Sequence, residues 1–275
     1  QIKKNTIPKI VTIHDLIFKH YPEQYPWFDR QVYNQKFRYA CENSDLIIAI
    51  SESTKRDVME MYGIAEEKIR VIYQSCHEGF MLEKNPSTKE AVRERYGLPT
   101  EFMLYVGSLV ERKNLLGIVE ALAQLPADLQ IPVVVVGQGA VYKRRVVARA
   151  QELGVLDKLL FIQPDFAELP ALYQQAQAFL YPSVYEGFGI PILEALFSKT
   201  PVLTSNMSSL PEAAGDGAIL VDPCNAAEMA SGIETLLTDS EQREQQITAG
   251  FEHAQQFKGE LLTAQLVDAY RSLLG

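Results

Sequence analysis

From residue 102 onward, short apolar runs alternate with helix-forming stretches, and that alternation narrows the chain to one class of fold. The apolar runs fall at 102–106, 132–136, 159–162, 178–181, 201–204 and 218–221. Each reads as a strand of the parallel kind, hydrophobic along its length because both faces are covered. Helices fill the gaps at 115–123, 141–153, 168–176, 192–197 and 226–237. Regular β-α alternation predicts a doubly wound α/β domain whose ligand sits at the carboxyl ends of the strands.

One of those strand ends stands out. The strand at 178–181 leads into Tyr185-Glu186-Gly187-Phe188-Gly189-Ile190-Pro191-Ile192-Leu193-Glu194-Ala195. Two carboxylates eight residues apart flank a Gly-Phe-Gly turn, and an apolar helix opens after it. Such a strand, turn and helix N-terminus presents bare backbone N–H groups and the positive end of a dipole to an anion. Glu186 precedes the helix and Glu194 lies about one turn into it, so both are expected at one crevice.

The 101 residues before this domain look shorter than a full counterpart. A buried strand at 9–15 ends in His14-Asp15, a helix carrying several aromatics covers 27–42, and a second strand covers 45–50. Ser51 offers N-cap chemistry to a helix that ends near Tyr62, with Gly63 as its C-cap, and a third strand covers 69–73. A three-stranded sheet leaves a poorly protected edge.

The glutamate pair resembles the E-x7-E motif of the retaining, GT-B-fold glycosyltransferases of family 4, the glycosyl transferases group 1. Three further stretches resemble the same family: Gly107-Ser108-Leu109-Val110-Glu111-Arg112-Lys113-Asn114-Leu115, Val136-Gly137-Gln138-Gly139, and 204–206 followed by 209–216. Together they span nearly the whole chain in the family's order. The resemblance implies a GT-B-type α/β fold, with a doubly wound, Rossmann-like C-terminal domain at 101–256 and a partial Rossmann-like N-terminal domain at 1–85. Residues 86–100 are expected to link them, and a helix within 257–275 to cross back to the first domain. The Trp that relatives often carry there is absent from Phe257-Lys258-Gly259-Glu260, which weakens the expected docking of that helix. The short first domain implies a missing N-terminal portion or a partner chain.

The resemblance also implies roles. Arg112 and Lys113 would neutralise a departing diphosphate, a task resting on them alone because Ser108 stands where many relatives have Arg. Glu194 would accept from the ribose hydroxyls, and Glu186 would lie beside the donor sugar and its phosphates. Gly107, Ser108 and the N–H groups of Gly187, Phe188, Gly189 and Ile190 would line the donor, and Gln163 would frame the nucleobase through backbone groups. His14 would stand near the donor sugar and acceptor, with Asp15 orienting its ring. Taken alone, Arg112-Lys113 also fits a solvated loop, Glu194 an exposed helix carboxylate, and His14 a turn cap. His20, His77 and His253 read as local hydrogen-bonders.

Composition trims the alternatives. A net charge of −9 and a pI near 5.1 argue against nucleic acid as partner. Three scattered cysteines give neither a disulfide framework nor a metal set, and Cys76 has no neighbouring base to make it a nucleophile. No apolar run approaches the roughly 18 residues of a membrane span. The N-terminus does not read as a signal peptide, so a cytoplasmic location is expected, with at most peripheral contact at the inner face of the membrane. The absence of Asp-x-Asp implies a metal-independent site and no cofactor beyond the nucleoside-diphosphate sugar, with a glycan or lipid-linked acceptor. Within the family, the pattern looks most like that of bacterial mannosyl- or similar transferases of surface-polysaccharide assembly. Two rivals stay open: a nucleotide-binding fragment that turns nothing over without a partner, and a GT-B sugar-nucleotide epimerase.

Overall fold

A computed structural model describes residues 7–274 and divides them into two units. The first takes residues up to Ser75, then Glu186–Phe188 and the chain from Phe257 onward; the second takes Cys76–Tyr185 and Gly189–Gln256. The boundary therefore lies at Ser75 rather than near residue 85, and most of the expected linker is a helix of the second unit. Asn85 explains why: its side chain accepts from Thr88 N at 2.8 Å, Pro86 tolerates the first helical turn, and Gly97 closes the helix at φ 59°.

The first unit is built on β1 (Ile10–Ile13), β2 (Leu46–Ala49) and β3 (Ile69–Val71), parallel and adjacent in chain order. Between them run the short α1 (Ile17–His20), α2 (Trp27–Asn43) and α3 (Glu52–Tyr62). Successive right-handed crossovers in one direction place their helices on the same face of a sheet. Phe37, Cys41, Val58 and Tyr62 accordingly pack with Ile13, Ile47 and Ile69. The period of two sends Leu46, Ile48 and Ile72 to the other face. There the last helix, Gly259–Arg271, covers them with Leu266 and fully buried Ala269. The missing Trp has not prevented this docking.

The second unit opens with α4 (Pro86–Tyr96) and carries β4 (Met103–Val106), β5 (Val133–Val136), β6 (Leu159–Ile162), β7 (Ala178–Tyr181), β8 (Val202–Ser205) and β9 (Ala218–Val221). All neighbours pair in parallel, in the order β6-β5-β4-β7-β8-β9. The direction of winding reverses between β4 and β7, which opens a crevice at their carboxyl ends. The helices are α5 (Leu115–Leu122), α6 (Ala140–Glu152), α7 (Leu169–Tyr173), α8 (Ile190–Phe197), α9 (Leu210–Ala214), α10 (Ala226–Thr238) and α11 (Ser240–Ala254). Side chains of α5, α6 and α10 pack with Met103, Val133, Ala178 and Leu180 on one face of the sheet.

Two helix boundaries differ from the sequence pattern. Helix α8 begins at Ile190, two residues before the expected start, because Pro191 sits in a first turn that needs no N–H from it. The stretch 168–176 is shorter than expected: Asp165 and Glu168 form a capping box over a 3-10 turn, and α7 stops at Tyr173. Among the described residues no helix is long and apolar enough to cross a membrane.

Candidate functional site

The loop after β4 is held in place by backbone bonds before any side chain acts. Gly107 N donates to Val136 O at 2.9 Å and Leu109 N to Gln138 O at 2.7 Å, so the loops after β4 and β5 run together. The next turn, Glu111–Lys113, ends on Asn114 in the left-handed region at φ 56°. Asn tolerates that conformation and here caps α5, accepting from Gly117 N at 3.2 Å while its amide donates to Pro223 O at 2.7 Å.

That turn is also tied to the loop after β7, across the point where the winding reverses. The carbonyl of Arg112 accepts from Ser183 Oγ at 3.0 Å and from Val184 N at 2.9 Å, and its guanidinium donates to Tyr185 O. The ammonium of Lys113 donates to the Tyr181 hydroxyl and lies 4.8 Å from the centre of that ring. Ser205 Oγ in turn donates to Ser183 O at 2.7 Å. Both cations are half-buried and fixed by specific partners, which sets aside the solvated-loop reading. Gly107 lies beside Lys113, and Ser108 is exposed with its carbonyl accepting from Tyr105 OH at 3.3 Å.

Glu194 is not an exposed helix carboxylate. It is 8% exposed, and its Oε2 accepts from the buried Tyr173 hydroxyl at 2.8 Å. Its other oxygen makes no hydrogen bond among the described residues. Burial drives its pKa up to about 7, with the Tyr173 bond pulling the other way. Burial likewise pushes the Cys76 thiol up to about 12, helped by the Glu194 charge, so Cys76 stays protonated. At the start of α8, Gly189 and Ile190 N–H groups donate to nothing among the described residues. Gln163 is exposed at the end of β6, which β5 separates from β4. At roughly 10 Å for two strand spacings, the sheet does not bring it to Arg112.

Glu186, Gly187 and Phe188 belong to the first unit. Glu186 is buried at 8% exposure. The carbonyl of Gly187 accepts from Ser51 Oγ at 2.6 Å and Thr54 Oγ1 at 3.2 Å. A Cβ at Gly187 would strike the carbonyl oxygen of His14, so only glycine fits there. The rings of Phe188, Tyr73 and Phe257 form a three-way cluster, each centroid 5.3 Å from the other two. His14 is exposed, and its Nδ1 lies 3.3 Å from Gln74 Nε2. The expectation that Asp15 orients the His14 ring is corrected: Asp15 Oδ1 accepts instead from Ile17 N, the first residue of α1, at 3.0 Å. His20 pairs with Asp57 at 2.9 Å, and His253 bonds to Glu212 O at 3.0 Å.

Sequence reasoning gave Tyr173 and Tyr181 no role and read Gln74 only as part of a hinge-side loop. The two tyrosines looked like core residues of apolar elements, although a buried tyrosine hydroxyl needs a polar partner and could have been followed on that ground. Gln74 carries no local signal, because its partner lies 60 residues away.

Comparison with known proteins follows the same lines. The family described as "Glycosyl transferases group 1" matches residues 88–253, and the one described as "Glycosyltransferase Family 4" matches residues 1–75. O-antigen chain mannosyltransferase B of Escherichia coli is 31% identical over 271 residues, which is 96% of this chain and 70% of that protein. Serotype-specific mannosyltransferase WbdA of Escherichia coli is 32% identical over 246 residues, 84% of this chain but only 29% of that much longer protein. The crystal structure of Anabaena Alr3699/HepE in complex with UDP and glucose is similar with a TM-score of 0.83 at 22% identity, over 96% of this chain and 72% of that one. At that identity the likeness is one of fold.

Proposed function

The chain belongs to the glycosyl transferases group 1 and has the GT-B class of fold, and on that premise we propose that it transfers a sugar from a nucleoside-diphosphate sugar to a glycan or lipid-linked acceptor. We assign mannose as the sugar and surface-polysaccharide assembly as the setting, on the similarity to the O-antigen and serotype-specific mannosyltransferases. The work is assigned to the cytoplasm, at the inner face of the membrane.

The observation that carries this reading is the state of Glu194. It is a buried carboxylate with one oxygen held by Tyr173 and the other without a partner among the described residues. Such a group is prepared to accept from the hydroxyls of a ribose, because a carboxylate has two acceptor oxygens and only one is engaged. Arg112 and Lys113, pinned at the same reversal of the sheet, supply positive charge for the diphosphate in place of a divalent ion. His14 and Glu186 take the sugar-facing roles that the family resemblance implies.

In the transfer step the acceptor oxygen bonds to the anomeric carbon as the bond from that carbon to the diphosphate oxygen breaks. The electron pair leaves on the diphosphate, and the acceptor's proton passes to a phosphate oxygen. Attack from the departing face keeps the anomeric configuration. Titration calorimetry with GDP, UDP and ADP, followed by diphosphate release with and without an acceptor glycan, tests the reading. Release that depends on acceptor, persists in a chelator and yields a product of retained configuration by NMR is expected. Absence of binding by folded protein at millimolar nucleotide overturns it.

A further inference from the structure

On β7, Ala178 and Leu180 face the core shared with α5, α6 and α10, which leaves Phe179 and Tyr181 on the opposite face of the sheet. Tyr173, the last residue of α7, joins them. The ring centroids of Tyr173 and Phe179 lie 5.0 Å apart, and those of Phe179 and Tyr181 lie 5.7 Å apart with planes 19° from parallel. Phe80 closes the row edge-on against Tyr173 at 5.5 Å. All four side chains are buried.

The only polar atoms in this row are the two tyrosine hydroxyls, and each meets a charged group. Tyr173 donates to Glu194, and Tyr181 accepts from Lys113. The tyrosine backbones are anchored in matching fashion from the strand β8 side: Thr200 Oγ1 donates to Tyr173 O at 2.7 Å and Thr204 Oγ1 to Tyr181 O at 2.8 Å. Glu and Lys side chains are long and rotamer-rich, and fixing them in place normally costs conformational entropy at the moment of binding. A close-packed aromatic row cannot turn without vacating its own core, so it fixes where the two hydroxyls stand before any ligand arrives.

We propose that Tyr173 and Tyr181 are positioning residues that set the two ends of the nucleotide site, Tyr173 holding Glu194 for the ribose and Tyr181 holding Lys113 for the diphosphate. The inference rests on the reading of the site given under Proposed function. It assigns different losses to two chemically identical substitutions.

The test compares Tyr173→Phe and Tyr181→Phe, which keep the rings, in calorimetric titrations with a ribonucleoside diphosphate, its dideoxyribose analogue and the free nucleoside. Tyr173→Phe is expected to reduce the preference for ribose over dideoxyribose by roughly fivefold and leave the diphosphate preference intact. Tyr181→Phe is expected to reduce the preference for diphosphate over nucleoside by a similar factor and leave the ribose preference intact. Adding Tyr173→Phe to Glu194→Gln should bring no further loss of ribose preference, because both act through one carboxylate. Equal losses for all three ligands, or unchanged preferences in both variants, overturn the proposal and leave the nucleotide site standing. Failure of the parent protein to bind any nucleotide removes that site and the proposal together. A variant too unstable to titrate is replaced by Thr200→Val or Thr204→Val, which release the same tyrosines from their backbone anchors and should give the same split of preferences.

Discussion

Ser51 Oγ donates to the carbonyl oxygen of Gly187 at 2.6 Å, joining residues 136 positions apart. The same oxygen atom of Ser51 accepts from Thr54 N at 3.0 Å as the N-cap of α3. One hydroxyl thus starts a helix and fixes the turn between the two glutamates. Thr54 Oγ1 reinforces it, reaching both Gly187 O and His14 O at 3.2 Å. The turn is therefore held by fully buried side chains rather than by its own glycines.

Gly187→Ala is expected to destabilise the protein by about 1–3 kcal/mol, the usual cost of forcing atoms into a packed site. The added methyl collides with His14 O and comes within 3.1 Å of Asp15 Cβ, neither of which is the tip of a flexible chain. Thermal unfolding checks this, with Gly154→Ala as comparison: that glycine has a positive φ, at 72°, but open space around it. A larger loss at Gly187 than at Gly154 is the expected order.

Arg112→Ala and Lys113→Ala are expected to weaken diphosphate binding far more than nucleoside binding. Hydrogen bonds to charged groups contribute about 1.5–3 kcal/mol each, so losses of ten- to a hundredfold are expected for the diphosphate alone. Calorimetric titration with the two ligands decides it; equal losses would mean that the pair only shapes the turn that Ser183 and Val184 already hold.

Glu194 gives the stability and the binding a shared pH dependence. Its folded pKa, about 7, lies above the ordinary carboxylate value of 4.5, so between those values the folded state holds the proton that the unfolded state releases. Stability from this group is full below pH about 4.5 and is lost as pH rises through 7, by at most about 3 kcal/mol. Glu194→Gln should flatten that slope in denaturant titrations across the same window. Ligand hydroxyls donate to the ionised form, so nucleotide binding near pH 6.5 should release a proton, measurable as a dependence of binding heat on buffer ionisation enthalpy. Tyr173 and Cys76, the titratable neighbours, are both pushed above their ordinary values and do not ionise in this range.

His14→Ala is expected to slow transfer while changing nucleotide affinity less than twofold, because Arg112, Lys113 and Glu194, the groups assigned to the diphosphate and the ribose, lie in the other unit. Gln74→Ala should repeat the effect in weaker form by releasing the His14 ring. Single-turnover rates set beside equilibrium affinities separate the two quantities. A matched loss in both would place His14 among the nucleotide ligands instead.

The second unit was largely legible from its residues, because six near-continuous apolar runs at regular spacing leave few ways to wind a sheet. The cap of α3 was also legible, since Ser51 and Gly63 each carry their chemistry locally. What the sequence hid depended on distance. Asp15 stands next to His14 in the chain, but the nearer donor is Ile17 N, and the partner of His14 came from residue 74. The boundary at Ser75 was hidden because a polar, proline-bearing stretch reads as linker until Asn85 and Pro86 are seen to start a helix. The tyrosines beneath Glu194 and Lys113 were hidden because hydrophobicity and hydrogen-bonding capacity share one side chain.

The placement of the last helix on the sheet of the first unit bears on how the chain matures during synthesis. The strip formed by Leu46, Ile48 and Ile72 emerges from the ribosome long before Ala269, which covers it. Nearly 200 residues intervene, and at ribosomal rates of roughly 5–20 residues per second the strip waits about 10–40 s for its cover. The second unit, continuous but for three residues, can finish its own core in that interval, whereas the first unit begins early and closes last. That apolar strip therefore stays uncovered while the whole of the second unit is being made.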